Sequence, residues 1–420
     1  MLKKIIMKGP LLSRSGYGEQ ARFALRSLRS RPDLFDIYVI NIPWGHTGQI
    51  SDDNEETTFI QDALIRTQVA VNQQTQFDIS LQVTVPNEFE KMAAYNIGYT
   101  AGIETTAVSG QWIEKANNTV DKVLVVSNHS KKVFEQTTYD VQDQNGNAVK
   151  NWGLNVPVEA VNYPVRYFEP EELTMEFRTS KNFLAVSQWG PRKNLDNTIK
   201  WFVENFREDE EAGLVLKTNT AADSIRDREF TVDRLNNLLG TLGDRKCTVY
   251  LVHGEIPPGA LAWLYTHPTM KALINIGHGE GYGLPLFEAA YHGLPLITTT
   301  WSGQMDFICK PNKNGKRVPK VIKVDYDLQE VQPAAVWPGV IEKHAKWAYA
   351  REASYKRALN EALDKEVHHR KEAKILQDYI VENFTEAKLY QQFCDAIFES
   401  DPLALPEESI DDLFSKLENK

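Results

Sequence analysis

Short apolar runs alternate with helical patterns along most of this chain, and that alternation narrows the fold to stacked βα units around parallel sheets. Lys3 to Lys8 reads as a strand, Ser13-Arg14-Ser15-Gly16-Tyr17-Gly18 as a small-residue loop, and Glu19 to Arg29 as a helix. Strands follow at Asp36 to Ile42 and Lys122 to Ser127, and a second series begins at Asn182 to Ser187. That series continues through a helix at Asn194 to Phe206, strands at Gly213 to Lys217 and Thr248 to Val252, and a helix at Ala260 to Thr266. With 420 residues, two or three domains fit the length. Tyr139 to Glu159, rich in Asn, Gln, Asp and Gly, reads as an irregular surface excursion, and Val161 to Pro170 as a linker. Val340 to Ser400 reads as mostly helical.

Forty-seven basic residues against 57 acidic ones give a formal charge of -10, unlike a broad nucleic-acid coat. Cys247, Cys309 and Cys394 lie far apart with no CxxC spacing, so neither a disulfide framework nor a zinc site is expected. The first apolar stretch is three residues long before Lys8-Gly9-Pro10 interrupts it, which suits a strand better than a signal peptide. The expected compartment is the cytoplasm.

The segment from Ala272 to Phe307 carries the chemistry. Leu273 to Ile276 reads as a buried strand, Gly277-His278-Gly279-Glu280-Gly281-Tyr282-Gly283 as a glycine-rich loop, and Leu284 to His292 as a helix. Pro285 suits the first turn of that helix and Gly293 its end. Glycines at a strand-to-helix turn let backbone N–H groups approach a ligand, and the positive end of the helix favours an anion such as a diphosphate. Glu280 and Glu288 cannot ligate phosphate, because like charges repel; they suit hydroxyl groups. A diphosphate flanked by hydroxyl-bearing rings describes a nucleotide sugar. The loop does not satisfy GxGxxG, and Gly315-Lys316 lacks the Walker spacing.

Gly279 to Ala289 resembles the Glu-x7-Glu signature of retaining GT-B glycosyltransferases of the family 4 type. Glu104-Thr105, Trp112-Ile113, Ala116-Asn117 and Asp121 to Ser127 resemble the end of that family's N-terminal domain. Tyr163-Pro164-Val165 to Phe168-Glu169-Pro170 resembles its linker, Pro191-Arg192-Lys193-Asn194 its basic donor loop, and Trp301-Ser302-Gly303 the segment after the signature. The resemblance spans roughly residues 1 to 395.

It implies an α/β chain with two Rossmann-like domains facing across a cleft and C-terminal helices packing back. The expected division is an acceptor domain over 1–165, a donor domain over 176–380, a returning helix over 381–400 and an acidic tail over 401–420. The expected activity is transfer of a hexose from a UDP- or GDP-sugar to an acceptor hydroxyl, with retention and without a metal or other cofactor. Glu280, Lys193 and Arg192 take the catalytic places: Glu280 on the transferred sugar, Lys193 and Arg192 on the diphosphate. Glu288 falls on the ribose, and Gly281, Tyr282, Gly283 and Leu284 complete the donor loop. Residues of the N-terminal loop, Gly16 and Gly18, should border the cleft on the donor side. The family's Arg six residues before the Lys is Ser187 here, so Lys217, at a strand end, is the expected substitute. His46 and Glu104 are assigned to the acceptor side.

Two other readings stand beside transfer: a GT-B sugar-nucleotide epimerase, and an inactive nucleotide-sugar-binding protein. Glycan, lipid carrier, protein, metabolite and modified nucleic acid all remain open as acceptors. Arg22, Arg26 and Arg29 fall at i, i+4 and i+7, which reads either as an exposed helix face or as a surface for anions such as phospholipid headgroups, a route to peripheral membrane contact, or a nucleic-acid backbone.

Overall fold

The computed structural model describes residues 2–44, 47–142 and 146–398. Six strands of the first half form one parallel sheet: β1 (Lys3–Gly9), β2 (Phe35–Asn41), β3 (Ile79–Val83), β4 (Tyr95–Thr100), β5 (Lys122–Val125) and, beyond a separate hairpin, β8 (Val158–Ala160). Their spatial order is β2-β1-β3-β4-β5-β8. Every residue of β3, β4 and β5 is buried, as expected of strands covered on both faces. The covering helices are α1 (Gly16–Arg29), α2 (Glu55–Asn72), α3 (Gly110–Thr119) and α4 (Asn128–Gln136). In α1, Ser15 caps the first turn through Gly18 N, and Ala21, Phe23, Ala24, Leu25 and Leu28 form the buried stripe.

The second sheet consists of β9 (Lys181–Val186), β10 (Ala212–Thr218), β11 (Thr248–His253), β12 (Met270–Asn275), β13 (Leu296–Thr299) and β16 (Ile322–Val324). It is parallel throughout in the order β11-β10-β9-β12-β13-β16, the doubly wound order whose direction reverses between its first and fourth strands. Helices α5 (Leu195–Asn205), α6 (Ile225–Gly240), α7 (Pro258–Thr266), α8 (Leu284–Tyr291), α9 (Met305–Ile308), α10 (Glu352–Asp364) and α11 (Glu366–Asn383) surround it. The molecule is therefore two Rossmann-like domains. No helix among the described residues is long and apolar enough to cross a membrane.

The last helix, α12 (Glu386–Phe398), packs on the first domain. Phe393 lies edge-on to Phe23 with ring centroids 5.3 Å apart, Phe398 meets Phe35, and Lys122 Nζ donates to Ala396 O at 2.6 Å.

Two segments depart from the expectation. Tyr139 to Glu159 is not irregular: it holds an antiparallel hairpin, β6 (Thr138–Gln142) with β7 (Ala148–Gly153), and then β8 at the sheet edge. The hairpin strands are largely exposed, so ladder pairing and the Tyr139 and Trp152 rings hold them rather than a buried face. Likewise, the reading of Val340 onward as mostly helical overlooked β18 (Lys346–Ala350), which pairs with β17 (Tyr326–Glu330). A small β14 (Cys309–Pro311) and β15 (Arg317–Pro319) hairpin completes the strands.

Candidate functional site

The loops after β9 and β12 meet where the strand order of the second sheet reverses, the place where open α/β sheets bind ligands. Gly283 supplies the turn into α8 with φ of 95°, a left-handed conformation that costs a side-chain-bearing residue about 1 kcal/mol. Pro285 lies in the first helical turn and Gly293 follows the helix with φ of 77°.

Glu280 is 5% exposed and fully engaged. Lys193 Nζ donates to its two oxygens at 2.7 and 2.8 Å, Arg192 Nη1 at 3.1 Å and Asn275 Nδ2 at 3.0 Å. Burial raises the Glu280 carboxyl, but the two adjacent cations outweigh it and hold the group down to about 2. Arg192 also reaches the other domain, with Nη2 at 2.9 Å from Glu104 Oε1. Burial pushes Glu104 above its ordinary value, opposed by Arg192 and Lys193. Thus Lys193 and Arg192 are not free cations waiting for a diphosphate: in a poorly solvated pocket they pair with the carboxylates brought beside them. Glu104, assigned to the acceptor side, is part of this same four-residue cluster.

The backbones here meet closely. A Cβ on Gly279 would overlap the carbonyl oxygen of Glu104, and one on Gly281 that of Ala101. Asp306 ties the domains a second time, accepting from Asn128 N at 2.8 Å, Asn128 Nδ2 at 3.1 Å and Asn162 Nδ2 at 2.9 Å.

A cavity of about 530 Å³ lies beside the cluster, between α1 and α8, and neither Glu280, Lys193 nor Arg192 lines it. Gly16, Ser187, Lys217, Leu284, Pro285 and Glu288 do. Glu288 receives the Tyr265 hydroxyl at 2.9 Å. Burial raises its carboxyl to about 7, with Glu19 adding to the effect and Tyr265, Arg166 and Lys217 opposing it. Burial also lowers the Lys217 ammonium, while Asp223 and Glu288 favour its charge. Lys217 makes no hydrogen bond or ion pair among the described residues.

The Tyr282 side chain is 3% exposed and packs on Tyr163, Phe287 and Phe307, so it belongs to the core and only its backbone is available to a ligand. Gly18 does not border the cavity; it lies in α1 where any Cβ would strike Ser13 O. Arg22 and Arg26 are not an exposed face: Glu19 pairs with them at 3.1 and 2.6 Å, and both line the cavity. Arg29 pairs with Glu55. Residue 46 lies outside the described residues, and with it the assignment of His46.

Sequence reasoning passed over Glu19, Arg166 and Tyr265. Arg166 Nη1 meets Glu19 Oε1 at 3.1 Å and lines the cavity, yet its sequence setting is a proline-flanked linker. Tyr265 sits in an apolar helix without a local cue.

No protein-family model matches the chain. Several solved structures share its architecture. Sucrose-phosphate synthase from Thermosynechococcus elongatus superposes with a TM-score of 0.60 at 14% identity, covering 94% of this chain and 98% of that one. The Anabaena protein HepE, solved with UDP and glucose, gives a TM-score of 0.58 at 12% identity, covering 94% and 99%. The fold is GT-B. The lipopolysaccharide outer core galactosyltransferase WaaB shares it too, with a TM-score of 0.52 at 13% identity over 95% of this chain and 99% of that one. By sequence, the chain is 31% identical over 129 residues to the serotype-specific mannosyltransferase WbdA of Escherichia coli. That similarity spans 30% of this chain but only 14% of WbdA's length.

Proposed function

We propose that this protein is a retaining glycosyltransferase of the family 4 type, moving a hexose from a UDP- or GDP-sugar to an acceptor hydroxyl without a metal. The observation that carries the reading is the cavity at the sheet's switch point, where the N-terminus of α8, Lys217 and Glu288 converge. Its volume is within the range of small-molecule sites. The helix N-terminus and Lys217 suit a diphosphate, and Glu288 suits ribose hydroxyls. The partial likeness to WbdA, a mannosyltransferase, and the UDP-glucose complex of HepE support a sugar nucleotide as donor.

In this reading, a diphosphate reaching the loop competes with Glu280 for Lys193 and Arg192. Each cation shifted to the leaving group stabilises developing charge, an effect worth about 3 to 4 kcal/mol for a well-placed donor. Glu280, released, accepts from hydroxyls of the transferred sugar. The donor phosphate itself takes the acceptor proton. Three buried free thiols suit a reducing, cytoplasmic setting.

A calorimetric panel of UDP-, GDP-, ADP- and CMP-sugars tests the proposal. One nucleotide should bind, and Glu288→Ala should weaken it tenfold or more, a loss in the range of a charged hydrogen bond. Unchanged affinity removes Glu288 from the donor site. Donor turnover that needs no acceptor would instead assign an epimerase.

A further inference from the structure

Among the described residues, the Glu288 carboxylate has one direct side-chain partner, the Tyr265 hydroxyl on the neighbouring helix α7. No lysine or arginine among those residues forms an ion pair with it. We infer that Tyr265 is a positioning residue of the donor site: its hydroxyl fixes Glu288 Oε2, leaving Oε1 for the ribose of a nucleoside diphosphate. This inference rests on the donor reading given above.

Three features of the geometry support it. First, Tyr265 is 2% exposed and its ring packs against His292 at 5.5 Å, so the hydroxyl has little freedom to aim elsewhere. Second, His292 in turn bonds the main chain of Glu288 through Nδ1 at 2.8 Å and stacks on Tyr167, which braces the end of α8 behind the carboxylate. Third, burial and the adjacent Glu288 hold the Tyr265 hydroxyl in its protonated form, so it acts as a donor throughout the working range.

The remaining charges around Glu288 come from four other places. Glu19 on α1 disfavours its ionisation, while Arg166 on the interdomain segment and Lys217 on β10 favour it without touching it. Tyr291 and His292 belong to its own helix and its cap, and Tyr291 donates to Arg166 O at 2.7 Å. Loss of the Tyr265 hydroxyl therefore leaves a partly buried carboxylate with no bonded partner, which drives it toward the neutral acid. A neutral acid is the poorer acceptor for ribose hydroxyls.

The test is calorimetric titration of the full chain with UDP and with GDP from pH 6 to 9. Wild type is compared with Tyr265→Phe, Glu288→Gln and the double variant. For the nucleotide that binds wild type, Tyr265→Phe should weaken affinity roughly tenfold to hundredfold at pH 7. The loss should shrink toward pH 9, because the acid limb of the affinity profile moves to higher pH. In the Glu288→Gln background the same substitution should leave the pH profile flat. An equal loss at every pH, the mark of a packing defect, overturns the inference, as does unchanged affinity. If neither UDP nor GDP binds wild type, the donor reading fails and this inference with it; binding with an unmoved acid limb refutes Tyr265 alone.

Discussion

Replacing Glu280 by Gln removes the buried anion that two half-buried cations share, and the consequence for stability can be worked out. The carboxyl falls from its ordinary value of 4.5 to about 2 in the folded protein. At about 1.4 kcal/mol per pH unit, that difference contributes about 3 kcal/mol of folding free energy at pH 7. The cost of breaking a buried ion pair by removing one partner, about 3 to 5 kcal/mol, agrees. Because the folded value is depressed, the contribution is complete above the unfolded value and is lost as pH falls toward the folded one. Urea denaturation followed by tryptophan fluorescence should show Glu280→Gln less stable by about 3 kcal/mol at pH 7, with the gap narrowing to about 2 kcal/mol at pH 3.5. A gap below about 1 kcal/mol at pH 7, or one that does not change with pH, would refute the claim that Lys193 and Arg192 hold the carboxylate ionised.

Two further substitutions probe the cavity and the domain contact. Lys217→Met should weaken UDP or GDP binding about tenfold while leaving the affinity for the bare nucleoside unchanged, since only the diphosphate loses a partner; calorimetry with both ligands decides it. Gly281→Ala drives a Cβ into the Ala101 carbonyl oxygen, so it should lower stability by about 1 to 3 kcal/mol, visible as a fall in Tm. An unshifted melting curve would mean that the two loops do not meet as closely as described.

Much of the architecture was legible because buried parallel strands write themselves as continuous apolar runs, as at Leu273 to Ile274 and Val123 to Val125. The turn into α8 was legible for a similar reason, since Gly283, Pro285 and Gly293 are each required by a local backbone constraint. The β6 and β7 hairpin was not, because its strands bury little and so carry no hydrophobic period. The pairing of Arg192 with Glu104 joins residues 88 positions apart in sequence, and no periodicity reports such a contact. The loop position of Tyr282 assigned its backbone N–H to the donor but gave no sign that its ring completes a core of Tyr163, Phe287 and Phe307. The helical spacing of Arg22 and Arg26 suggested an exposed face because a spacing is blind to Glu19 on the same turn.

The way α12 lies against α1 and the first sheet has a consequence for biosynthesis. As the chain leaves the ribosome, the surface around Phe23, Phe35 and Tyr99 is complete long before Phe393 and Phe398 exist to cover it. The early half must therefore wait, sticky and uncapped, until translation is almost finished. A gene truncated before Glu386 would leave that surface permanently bare, and an attempt to produce the leading half alone should supply α12 as a fused or co-expressed peptide.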